Sequence, residues 1–143
     1  MRGFAVVSIV FVLAVAFSLS GCKRETGSES TVSGQGGAQL TIHQPDAVTL
    51  MRGGAAKVHV IIDRRNVTDP VAITFQNLPT GVTVVPADAK IVDTEGDYTL
   101  QAAADAQLVA GDHVSITASA PSATSTIVTS ATVDLIVTVK EKQ

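Results

Sequence analysis

The 143-residue sequence has one cysteine, Cys22, and no tryptophan. A lone thiol excludes an internal disulfide framework and any thiolate cluster around a metal. Of the five aromatic residues, Phe4, Phe11 and Phe17 lie at the front, which leaves Phe75 and Tyr98 for the remainder. Such a chain has little with which to build the flat ring platforms that stack on sugars or bases. Basic residues are also thin: the formal charge is −3, and the adjacent basic pairs are Lys23-Arg24 and Arg64-Arg65. Both read as solvated charge, so nucleic acid, which binds a clustered basic face, is not an expected partner. The length allows one ordinary domain, whose aliphatic and β-branched composition favours pleated sheets over helices.

The long apolar run is confined to residues 4–17, follows Arg2, and has the length of an export-signal core, short of a membrane span. It ends in Leu19-Ser20-Gly21-Cys22. This tetrad resembles the lipobox of bacterial lipoproteins, in which Leu fills an apolar protease subsite and small residues admit the peptidase. The thiol then forms the thioether to diacylglycerol. The resemblance implies cleavage before Cys22, lipidation of Cys22 and a membrane as partner, since two or three acyl chains anchor a protein firmly. The alternative is an uncleaved anchor helix with an incidental Cys22. Lys23 stands where an Asp commonly signals inner-membrane retention, so the lipoprotein pattern favours the outer membrane. Residues 22–38 are rich in Gly, Ser, Thr and Glu and read as the lipidated Cys with a disordered tether, spanning roughly 20 to 24 Å as a random coil.

From residue 39 to 143 the chain alternates short β-like runs with turn signals, the spacing of a sandwich or barrel. Expected inward positions are Leu40 and Ile42; Val48 and Leu50; Val58, Val60 and Ile62; Val71, Ile73 and Phe75; Tyr98, Leu100 and Ala102; Val114, Ile116 and Ala118; and Val133, Leu135, Val137 and Val139. Residues 82–92 read as two short edge segments, and 104–106 as a single helical turn. The expectation is an all-β, antiparallel sandwich of about seven to nine strands.

The motifs Asn77-Leu78-Pro79-Thr80-Gly81-Val82 and Ala110-Gly111-Asp112-His113-Val114 resemble the "GLP-x-GV" turn and "x-G-x-Y-x-V" strand entry of bacterial immunoglobulin-like domains. The resemblance covers roughly residues 39–140 and implies an immunoglobulin-like fold. It departs where His113 replaces the usual Tyr, so a tyrosine-corner hydrogen bond does not carry over. These domains serve as spacers, adhesins and enzyme appendages alike, so the likeness does not specify a function.

Candidate sites are few. His43, His59 and His113 lack close metal-ligand spacings and read as surface or edge histidines, with His59 facing outward. Asp93, Glu95 and Asp97 form the densest acidic cluster and are weak candidates for Ca²⁺. However, Ala104 stands at the twelfth position of an EF-hand count, so a hairpin turn is the better reading. No G-x-S-x-G elbow accompanies the many Ser and Thr, and Asp63, Asp69, Asp88 and Asp134 fall at strand ends or outward positions. Asn66-Val67-Thr68 is read as a chance sequon. On the last strand, Asp134, Ile136 and Thr138 share the outer face. With Ile127 and Val128 upstream, they suggest either a strand covered on both faces or an edge to which a partner adds a strand. The reading is a non-catalytic lipoprotein of the cell envelope, without cofactor, acting as a structural or protein-interaction module. The alternative is a periplasmic small-ligand or Ca²⁺-binding protein.

Overall fold

In β4 (Ala55–Arg65) Val58, Val60 and Ile62 are buried while Lys57, His59, Ile61 and Asp63 face solvent. Successive strand side chains leave opposite faces of the sheet, so this alternation alone commits β4 to one buried face. The same period buries Tyr98, Leu100 and Ala102 on β8 (Glu95–Ala102) and Val133, Leu135, Val137 and Val139 on β10 (Ser125–Lys140). The computed structural model describes residues 28–122 and 125–143, and the side chains of all of these except 35, 122 and 125–129.

Ten strands among the described residues form two five-stranded sheets. The first runs β1 (Glu29–Ser33), β2 (Gln39–His43), β4, β8, β6 (Val82–Val85). The second runs β3 (Val48–Met51), β10, β9 (Val109–Ser122), β5 (Val71–Gln76), β7 (Lys90–Ile91). Pairing is antiparallel except that β3 lies parallel to the end of β10, with Val48 opposite Val137. The runs β2-β4-β8-β6 and β5-β9-β10 are the two sheets of an immunoglobulin-like sandwich, with β1, β3 and β7 added at the edges. All the expected inward residues are buried except Phe75, which is half-buried and packs a tilted ring on Tyr98 at 5.2 Å between centroids. The Tyr98 hydroxyl donates to the Ala89 carbonyl at 3.2 Å, so a phenol-to-backbone tie exists, on β8 and not at His113.

Three expectations are corrected. The strand count is ten because residues 29–33, read as tether, pair with β2 from Glu29 opposite His43 to Ser33 opposite Gln39. Val32 is the one apolar residue of this strand and is only partly buried. An edge strand needs little hydrophobic signal when its backbone is satisfied by a ladder, which is why composition concealed it. Residues 93–97 are not a hairpin turn. Residues 92–94 carry the chain from β7 in the second sheet to β8 in the first, and Glu95, Gly96 and Asp97 are already the first residues of β8, paired with β4. Residues 104–106 form no helix; Ala106 N–H donates to Ala103 O at 3.1 Å in a plain turn.

Both motifs of the resemblance do structural work. Gly81 has φ +83° and brings its backbone against the 103–107 turn, where Ala103 N–H donates to Gly81 O and Gln107 N–H to Thr80 O. Gly111, at φ +82°, is the residue skipped when the β9–β10 register shifts between Asp112 opposite Val137 and Ala110 opposite Thr138, a bulge that favours glycine.

Candidate functional site

Leu19, Ser20, Gly21 and Cys22 lie outside the described residues, as do the side chains of Ile127 and Val128. Of the acidic cluster, Glu95 and Asp97 project from the same face of β8, while Asp93 precedes the strand. They do not form an oxygen cage. Among the described residues no group of three or more His, Cys, Asp and Glu side chains is arranged to hold a metal. Both carboxylates turn instead toward His59, whose Nδ1 lies 2.7 Å from Asp97 and whose Nε2 lies 3.3 Å from Glu95.

Backbone register explains this contact. Ile62 N–H donates to Thr94 O and Ala102 N–H to Gly54 O, so even-numbered β4 residues direct their backbone groups toward β8 and odd-numbered ones away from it. His59 and Asp97 are therefore a non-hydrogen-bonded cross-strand pair, the kind whose side chains approach most closely. The hydrogen bond with Asp97 is the main reason that the His59 pKa is raised above 6.5. The charges of Asp97 and Glu95 add to it, partly opposed by burial.

The other two imidazoles also reach acids on neighbouring strands, but diagonally, since Asp63 is opposite Thr41 and Asp134 opposite Ser115. His43 on β2 bonds Asp63 on β4 at 2.7 Å and lies 3.5 Å from Glu29, its register partner on β1. His113 lies 3.6 Å from Asp134 across β9 and β10. The reading of surface histidines with scattered acids thus becomes a set of cross-strand pairs. Which acid meets which imidazole depends on strand order, and the sequence held no signal for it.

Beside His59 the sheet opens. β2 covers β4 from Ile62 to Arg65 and then leaves through Gln44 and Pro45 toward the second sheet. A cleft of about 350 Å³ results, with His43, Asp46, Val48, Lys57, Val58 and His59 in its walls. It holds two imidazoles, an ammonium and a carboxylate but no hydroxyl or thiol nucleophile. Among the described residues, the hydroxyl pairs Thr31–Thr41 and Thr117–Thr132 bond each other and no imidazole. A second groove, of about 300 Å³, runs along β5 and β6 and is apolar, with Phe75, Leu78, Val82 and Val84 in its walls.

Two surface readings change. Arg64 is not simply solvated charge: it takes the inward side of β4, is half-buried, and its Nη1 is buried without a hydrogen-bond partner among the described residues. The last strand is not a plain edge, since β10 lies between β9 and β3 over residues 137–139; among the described residues no strand is registered on its far side before Val137. Asp134, Ile136 and Thr138 do share its outer face, with Ile136 exposed.

No family model matches the chain, and no curated protein does. Among solved structures, a chimeric titin Z1Z2 functionalized with a KLER exogenous peptide from decorin is 18% identical. That match covers 79% of this chain and 98% of the other, with a TM-score of 0.38. Domains 4 and 5 of the S-layer protein SbsC are 16% identical over 96% of this chain and 86% of theirs, with a TM-score of 0.37. With both TM-scores below 0.5 these likenesses carry no argument, and the fold assignment rests on strand order and register.

Proposed function

We propose that this chain is a lipid-anchored, non-catalytic protein of the bacterial cell envelope whose sandwich serves as a structural or protein-interaction module. The observation that carries the proposal is the tetrad Leu19-Ser20-Gly21-Cys22 at the end of an apolar run, with the chain's one thiol at the position that takes lipid. The hydroxyl pairs Thr31–Thr41 and Thr117–Thr132 and the carboxylate–imidazole pairs at His43 and His59 are consistent with a module that performs no chemistry.

The fold adds a distance. β1 begins at Glu29, seven positions after Cys22 (29 − 22 = 7), so a lipid on Cys22 lies within about 25 Å of the sandwich even at full extension. The domain then stands close to the headgroups, and a partner in the same membrane is more accessible than one across a wide gap. The outer membrane is the favoured location, through Lys23.

The test is membrane fractionation and metabolic acyl labelling of the wild type and of Cys22→Ser. Wild type is expected to label and sediment with membranes; Cys22→Ser is expected to lose the label and accumulate as unprocessed precursor. Unchanged labelling or processing in Cys22→Ser overturns the lipoprotein reading.

A further inference from the structure

His59 sits on the seam between β4 and β8 with a carboxylate at each ring nitrogen, Asp97 at 2.7 Å on Nδ1 and Glu95 at 3.3 Å on Nε2. Both acids come from the first three residues of β8, immediately after the chain has crossed from the second sheet. Among the described residues this stretch is held by its ladder to β4 alone, since β6 pairs β8 only from Thr99 onward. Gly96 between them has no side chain, and on the far side of β4 the backbone of His59 faces the cleft left by β2. Among the described residues, the other charged or titratable groups lining the cleft beside the ring are Lys57 on β4, His43 at the end of β2 and Asp46 on the crossing segment.

We propose that His59 is a pH-responsive clamp on the β4–β8 seam, holding the start of β8 against β4 while the imidazole is protonated and releasing it when the proton is lost. An imidazolium donates to both carboxylates at once. A neutral ring has one N–H, so one carboxylate, stripped of its donor, faces a lone pair. The raised His59 pKa gives the sign. A group whose folded pKa exceeds its unfolded value stabilises fully below the unfolded value, and that contribution is lost as pH rises through the folded one. The seam is therefore tightest in mild acid and loosens toward alkaline pH. The histidine side chain is 49% exposed, so it exchanges protons with solvent without any prior opening. The device is independent of lipidation and would operate equally in an unanchored chain.

The experiment follows His59 by NMR from about pH 5 to about pH 9 in the full chain in mild detergent, together with exchange of the Val60 and Gly96 amides, which bridge β4 and β8. The expected result is a His59 midpoint above 6.5 that falls back in Asp97→Asn. Protection of the Val60 and Gly96 amides, corrected for intrinsic exchange, should drop across that midpoint in wild type and stay flat in His59→Gln. His59 and Asp97 are exposed and His43 is half-buried outside the core, so the variants keep the buried core intact. A wild-type midpoint at or below 6.5 overturns the proposal. So does a protection loss that persists in His59→Gln, or one that His43→Gln removes in its place.

Discussion

Gly81 shows how much a single position can demand. A Cβ built there would lie 2.7 Å from Ala106 Cα, a backbone atom that cannot swing aside, and the residue already sits at φ +83°. Left-handed backbone alone costs an L-residue roughly 1–2 kcal/mol. Gly81→Ala is therefore expected to lower Tm by on the order of 5–10 °C in a thermal melt. A melt within a degree of wild type would show that the 103–107 turn yields without cost. The glycine's place in a turn motif was legible from Pro79-Thr80-Gly81; the surface it presses on was not, because Ala106 lies 25 positions away (106 − 81 = 25). The same holds for His59. Alternation with Val58 and Val60 sets it outward, but Asp97 becomes its partner only through the β4–β8 register.

At the scale of elements, β1 is the informative case. Gln44 N–H donates to Ser28 O and Gly34 N–H to Ala38 O, so the even-numbered residues of β1 form its ladder with β2 while Glu29, Thr31 and Ser33 direct their amides outward. Proline has no N–H to give, yet is tolerated where the amide faces solvent on an edge strand. Ser30→Pro is thus expected to release β1 and cost roughly 1–3 kcal/mol, because Ile42 O loses its donor. Thr31→Pro, one residue along, should leave the pairing in place. Limited proteolysis ahead of Gly34 distinguishes them, and equal cleavage of both variants would refute the register. An edge strand of this composition escaped sequence reading for a physical reason. Backbone hydrogen bonds carry no sequence label, and one half-buried valine among Ser, Thr and Glu looks the same as tether.

For the whole molecule, the Ca²⁺ alternative turns on where the acids end up. Glu95 and Asp97 are drawn to His59, and Asp93 stands apart before the strand. Calorimetry with Ca²⁺ at millimolar concentration is expected to give no saturable heat. A saturable isotherm lost in Asp97→Asn would restore the ligand-binding reading.

What the sequence determined by itself is periodic and local. Alternating apolar residues set which side of each strand is buried, and turn residues marked most strand ends. A single thiol behind an apolar run named the one place where an anchor is expected. What only the tertiary structure decided is pairing: the addition of β1, the crossing of residues 92–94 between sheets, the inward turn of Arg64, and the carboxylate at each imidazole. Side-chain period is a property of one strand and is written in it. Strand partnership is settled by closure of the whole sandwich, where residues distant in sequence compete for the same neighbour and the packed core selects among them.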